Sequence, residues 1–196
     1  MKNKIPIEVK RETFETNVRV KLDPFTPGPV KIDTGVGFLD HMLHLFGVHG
    51  ELSLEIKAKG DTHVDYHHTV EDVGLTLGEA LSQALGERKG IARYGEAHIP
   101  MEEALAAVYI DLAKRPCFVQ KGIIPVEKIG NFDTELVPEF LKALAMSGCF
   151  TLHVHFIYGE NAHHLVEAGF KALGHALKRA LSPLSRDEVL SSKGVL

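Results

Sequence analysis

This sequence predicts a layered α+β fold made of duplicated half-domains, with helices packed between two mostly antiparallel sheets. Three observations carry the prediction. The stretch Asp65-Tyr-His-His-Thr-Val-Glu71 returns as Asn161-Ala-His-His-Leu-Val-Glu167, so an HHxxE motif occurs twice. Each copy follows a segment of alternating apolar residues and leads into apolar residues at helical spacing. The order strand, helix, strand, HHxxE helix is therefore run through twice. A repeat of roughly 90 residues is too long for a solenoid unit and indicates duplicated halves. Neither half can bury its helix face alone, so the four helices are expected to pack together with a sheet on either side.

Taken in order, Ile5 to Val9 and Thr16 to Leu22 alternate as strands, and the segment from Pro24 to Pro29 is a turn that reverses the chain. From Thr34 the sequence opens with glycines and then places Leu39, Met42, Leu43 and Phe46 at a helical period, which puts His41 near a helix start. Glu51 to Lys59 alternates again and ends at Gly60. Val70, Val73, Leu77, Leu81 and Leu85 form the stripe of an amphipathic helix that Gly86 and Gly90 help to end. In the second half, Ala106 to Leu112 is a strand, Phe118 and Val119 lie near another, and Pro138 to Met146 is helical. Phe150 to Phe156 is a strand, and a helix runs on from His163 with Leu165, Val166, Phe170, Leu173 and Leu177. The boundary between half-repeats falls at residues 1–90 and 91–196 within one compact domain.

Helix geometry gives the repeated motif its chemistry. Residues three and four apart share a face, so Glu71 lies beneath His67 and His68, and Glu167 beneath His163 and His164. Adjacent residues point about 100° apart, so neighbouring imidazoles serve different ions rather than chelating one. Aligning the halves on the approach to their second strand, His49-Gly50 against Ser147-Gly148, gives an offset of 98 and sets His41 opposite Glu139; at the motif the offset is 96. Each half then offers four candidate metal ligands: His41, His67, His68 and Glu71 against Glu139, His163, His164 and Glu167.

Composition narrows the class. A chain of 196 residues is long enough to bury a core, and its net charge of −4 with no block of like charge argues against nucleic-acid binding and against a basic membrane-surface helix. Cys117 and Cys149 lack CxxC spacing and read as free thiols in a reducing compartment. No signal-peptide core and no apolar run near the ~20 residues of a membrane span is present, so a cytoplasmic protein is expected.

The stretches GVGFLDHMLHLFGVHG, DYHHTVEDVG, RYGEAHIPMEEAL, DLAKRPC, TLHVHFIYGENAHHLVEAGFKALGHAL and SSKGVL together resemble the imidazoleglycerol-phosphate dehydratase family of histidine biosynthesis over nearly the whole chain. The resemblance implies a homo-oligomer, usually a 24-mer, with active sites shared between subunits and two manganese ions, Mn(2+), per active site. Carried over position by position, one ion falls to His41, His68, Glu71 and His163, and the other to His67, Glu139, His164 and Glu167. Imidazole and carboxylate donors with positions left open suit octahedral manganese better than a closed zinc site. Many relatives have histidine where this chain has Glu139.

The implied reaction removes water from imidazole glycerol phosphate to give imidazole acetol phosphate through a metal-stabilised imidazolate and a diazafulvene. The base is expected to be Glu15, reaching a neighbouring subunit's site, with Glu167 as rival. The resemblance assigns phosphate to Arg93, Arg115, Ser191 and Lys193, and a substrate contact to Lys171; His41, His67 and His49 also approach the substrate. Relatives commonly place a substrate-contacting Gln four residues after the DHM histidine, where this chain has Leu45. Among the remaining polar residues, His153 and His155 read as a polar sheet face, His44, His98 and His175 as single histidines, and Asp72 as a residue that either orients a ligand histidine or favours the helix N-terminus. Two other classes fit part of the pattern. A metallohydrolase would share the His and carboxylate sites without needing two related ones, and a metal-storage assembly would not need the arginines and the SSK tail.

Overall fold

The computed structural model describes residues 6–185 and 188–191. The elements run β1 (Ile7–Glu12), β2 (Thr16–Asp23), β3 (Val30–Asp33), α1 (Gly37–His49), β4 (Ser53–Gly60), α2 (His67–Leu85), β5 (Tyr94–Met101), β6 (Ala104–Asp111), β7 (Cys117–Lys121), β8 (Lys128–Ile129), β9 (Phe132–Asp133), α3 (Leu136–Ser147), β10 (Thr151–Tyr158) and α4 (Ala162–Ala180). Two four-stranded sheets have the orders β1-β2-β4-β3 and β5-β6-β10-β7, and β8 pairs with β9 in a small hairpin. The two orders are the same once β5, β6, β7 and β10 stand for β1, β2, β3 and β4. In each sheet two pairings are antiparallel and the last, β3 with β4 or β7 with β10, is parallel.

Alternation aims one face of each sheet at the helices. Val18, Val20, Leu22, Leu54 and Ile56 are buried with Val70, Val73 and Leu77 of α2, while Ala106, Val108, Ile110, Leu152, Val154 and Phe156 are buried with Val166, Phe170 and Leu173 of α4. Burial of each large apolar side chain contributes about 1.5–3 kcal/mol. The helices also pack across the halves, α2 on α3 and α4 on α1. Gly78 and Gly174 make that crossing possible. A Cβ on Gly78 would stand 2.6 Å from the Leu144 carbonyl oxygen and 2.7 Å from the Gly148 nitrogen. On Gly174 it would stand 2.7 Å from the Phe46 oxygen and 2.8 Å from the Gly50 nitrogen. These partners are related by the offsets of 96 and 98 read from the sequence, so the duplication is visible in atoms.

Beyond the small β8–β9 hairpin, two strands of the main sheets differ from expectation. Residues 30–33 form β3 directly after the proline turn, because parallel pairing with β4 stabilises a strand too short to stand out by pattern. Residues 94–101 form β5, whose inward face runs Gly95, Ala97, Ile99 and Met101 and begins with two small residues; a Cβ on Gly95 would meet the Ala176 carbonyl oxygen. The close approach of α4 demands small residues there, which erases the apolar alternation that marks a strand. Among the described residues no helix is long and apolar enough to cross a membrane.

Candidate active site and metal ligands

Both HHxxE motifs open a helix, and a short polar side chain fixes each opening. The Asn161 carboxamide oxygen accepts from the backbone N–H groups of His163 (2.9 Å) and His164 (3.4 Å), and the Asp65 carboxylate accepts from that of His67 at 2.7 Å. The first turn is thereby ordered and its imidazoles project from the helix end.

At the start of α4 three expected ligands come together. His41 Nε2 lies 3.3 Å and His163 Nε2 3.4 Å from Glu167 Oε2, and one ligand atom from each residue lies within 4.8 Å of the other two. Phe38 packs edge-on against His163 at 5.3 Å between ring centroids, and Phe132 of the β8–β9 hairpin backs Phe38 at 5.0 Å. Lys171, one turn beyond, donates to the other Glu167 oxygen at 2.6 Å. Burial pushes the Glu167 carboxyl up, but hydrogen bonds and charge from Lys171 and His41 outweigh it and hold the group below its usual range. Glu167 is therefore an ionised acceptor and a weak base.

The equivalent residues of the first half are spread out. His67 Nε2 and Glu71 Oε2 are 3.9 Å apart, and Glu139 pairs with Lys142 at 3.9 Å. His68 donates from Nδ1 to Asp61 at 3.0 Å and lies 3.7 Å from Glu15 through Nε2. His164 donates from Nδ1 to Glu103 at 2.8 Å. The His164 hydrogen bond, helped by the Asn161 N–H, holds the Glu103 carboxyl at about 2. The hydrogen bonds they donate to their carboxylate partners raise both His68 and His164.

One chain does not gather either expected four-ligand set. Among the described residues the groups able to hold a metal are His41, His163 and Glu167, and separately Glu102, Glu103 and His164. His41 and His163, expected on one ion, are together, but Glu167, expected on the other, joins them, while His68 and Glu71 stand apart from that group. Donors of this kind, imidazole and carboxylate without thiolate, fit manganese, and three ligands leave an octahedral ion open positions.

The arginines meet at Asp111. Arg93 grips it with a two-pronged contact (2.6 and 3.0 Å) and donates to the Leu190 carbonyl oxygen at 2.6 Å, while the exposed Arg115 reaches the same carboxylate at 3.2 Å. Arg93 is buried, with φ of 69°, a costly conformation for a residue with a Cβ that its locked guanidinium maintains. The guanidinium expected at the phosphate is thus paired, in this chain, with Asp111 and the Leu190 carbonyl oxygen. It ties the tail beside Ser191 to the place where Arg115 is exposed. Lys193 lies outside the described residues.

Other expectations divide. His49 lies 5.2 Å from His175 between ring centroids, so His175 is not a lone histidine, and burial together with neighbouring positive charge lowers both. His98 bonds the Tyr109 hydroxyl at 3.0 Å. His44, His153 and His155 are exposed, and Leu45 is half-buried. Asp72 orients no ligand histidine. It is buried, holds Arg11 at 2.6 Å and accepts from the Thr16 hydroxyl, clamping the turn that carries Glu15. Sequence reading missed Asp61, Glu103 and Asp111. Asp61 lies in the turn seven residues before His68, outside the helical spacing of the motif, and Glu103 in a turn 61 residues before His164, although Glu103 sits within a quoted stretch of the resemblance.

Comparison with known proteins gives the family and the fold. The family model for imidazoleglycerol-phosphate dehydratase matches residues 34–177. The chain is 51% identical over 190 residues to the imidazoleglycerol-phosphate dehydratase of Methylorubrum extorquens, covering 96% of this chain and 97% of that one, and equally identical, with the same coverage, to that of Acetivibrio thermocellus. Among solved structures, imidazoleglycerol-phosphate dehydratase from Staphylococcus aureus superposes with a TM-score of 0.80 at 40% identity, covering 90% of this chain and 99% of that one. The Pyrococcus furiosus protein superposes with 0.82 at 37%, covering 95% and 99%.

Proposed function

Because the chain belongs to the imidazoleglycerol-phosphate dehydratase family, an enzyme family of histidine biosynthesis, we propose that it dehydrates imidazole glycerol phosphate to imidazole acetol phosphate at a two-manganese site. The observation that carries the metal reading is the close group His41, His163 and Glu167. Manganese, when bound, supplies Lewis acidity and a template for the substrate ring. His41, His163 and Glu167 hold one ion from one chain. His67, His68, Glu71, His164 and Glu139 are the remaining ligands, brought by other copies. That neither four-ligand set forms within a chain supports a large homo-oligomer with shared sites.

The other residues bind substrate and move a proton. Arg93, Arg115, Ser191 and Lys193 take the phosphate end, with Arg93 also holding the tail, while Lys171 contacts the substrate beside Glu167 and His49 extends that polar strip. Between the two candidate bases, Glu167 is committed to Lys171 and His41, whereas Glu15 is half-exposed and makes one long contact with His68. Glu15 is thus the group free to take the proton from carbon as the substrate passes through its diazafulvene form. The free thiols of Cys117 and Cys149 support a cytoplasmic setting.

The test is turnover of imidazole glycerol phosphate by metal-stripped protein with manganese restored, beside a His67→Ala/His163→Ala double variant. Activity should return with manganese and be absent from the variant. A folded, manganese-loaded wild type without activity would overturn the reading.

A further inference from the structure

The two halves orient their second motif histidine with carboxylates from different places in the repeat. Pairing Val18 with Ala58 and Ala106 with Phe156 makes the first hairpin of each half equivalent at an offset of 88, so Glu15 and Glu103 occupy the same turn position. At the offset of 98, the residue matching Asp61 is Gly159, which has no side chain. In the second half Glu103 receives the His164 Nδ1–H at 2.8 Å. In the first half Asp61 receives the His68 Nδ1–H at 3.0 Å, and Glu15 is left 3.7 Å from the opposite nitrogen. An ionised carboxylate only accepts, so each contact puts the proton on Nδ1 and leaves the Nε2 lone pair as the coordinating atom. The other Asp61 oxygen, Oδ1, is buried without a partner, a cost that fold stability does not explain.

We propose that Asp61 and Glu103 are positioning residues that fix the tautomer and direction of the metal ligands His68 and His164, and that Asp61, by taking this task in the first half, releases Glu15 from it. The proposal rests on the metal-site reading above. It accounts for why one of two equivalent glutamates is free to act on substrate while the other is held.

The test measures Mn(II) affinity of the folded, metal-stripped protein by competition with a chelator, for Asp61→Ala, Glu103→Ala, Asp61→Asn, Glu103→Gln, Glu15→Gln and, as a control on the same helix as His68, Glu79→Ala. Each alanine variant should bind Mn(II) about 10–100-fold more weakly. Asn and Gln still offer a carbonyl oxygen to Nδ1–H in nearly the same shape, so they should restore most of that loss and also keep the test open if an alanine variant misfolds. Glu15→Gln and Glu79→Ala should bind as wild type. Alanine variants that bind Mn(II) like wild type, or Asn and Gln variants as weak as alanine, would overturn the inference alone. A folded wild type that takes up no Mn(II) would overturn it together with the proposed function.

Discussion

Along α4, His163, Glu167, Lys171 and His175 descend one face in steps of four, opposite His41 and His49 of α1. The equivalent positions on α2 hold His67, Glu71, Leu75 and Glu79, opposite Glu139, Ala143 and Ser147 of α3. The first turn is kept in both seams, but the two turns below it diverge. In the α1–α4 seam Glu167 carries Lys171, and His49 and His175 are neighbours. In the α2–α3 seam the Ser147 hydroxyl closes on the Leu75 carbonyl oxygen at 2.7 Å, and no cation projects from Leu75. Duplication supplied two histidine-bearing helix starts, and only one continues into a polar strip. The β8–β9 hairpin, an insertion in the second half, reaches both: Phe132 backs Phe38 behind His163, and Asn131 donates to the Tyr66 hydroxyl beside His67.

The largest effect should come from neutralising the two candidate bases in turn. Glu15→Gln should lower kcat by about 10²–10⁴-fold, as expected for loss of a general base, with Mn(II) binding retained. If turnover survives in Glu15→Gln and is lost in Glu167→Gln with metal still bound, the base assignment moves to the α1–α4 seam. Next, Lys171→Leu gives the α1–α4 seam the residue found at the equivalent place in the α2–α3 seam. It should keep the fold and lower kcat/KM by roughly 10²-fold, the loss of a contact worth about 2.7 kcal/mol. Leu75→Lys in the other seam should leave kcat/KM unchanged; a matching fall would show that the turn below the motif meets substrate in both seams.

Packing offers a smaller comparison. Gly78→Ala and Gly174→Ala each drive a methyl into the facing backbone, and each should cost about 1–3 kcal/mol net of the gain in helix propensity. Thermal melting should then fall by a few degrees in both variants, about 2–4 °C per kcal/mol for a chain of this length. Unequal losses would mean that the two crossings are not alike in solution.

The smallest expected effect is a slope with pH. His49 lies below its ordinary value because of burial, then His175 and Lys171, against Glu167; His175 is lowered by burial, then Arg179 and Lys178, against Glu51. The unfolded chain therefore binds these protons first. Their contribution to stability is full above about 6.5 and is lost as pH falls from there through the folded values. In metal-free protein, His175→Gln should gain stability relative to wild type as pH falls below about 6.5. A difference independent of pH would sink the assignment.

The residues themselves determined the duplicated α+β plan, the two motifs and their registration. HHxxE spacing and strand alternation are local patterns, and the offsets of 96 and 98 needed only the chain order. Only the tertiary structure revealed β3 and β5, since one depends on parallel pairing with a later strand and the other on an overlying helix that demands small residues. It also decided that Glu167 joins His41 and His163, that Arg93 is paired with Asp111 and the tail, and that Asp61 and Glu103 stand behind the second motif histidines. Each of these depends on contacts between residues 7 to 126 positions apart, whose chemistry is written in distances that no spacing along the chain contains.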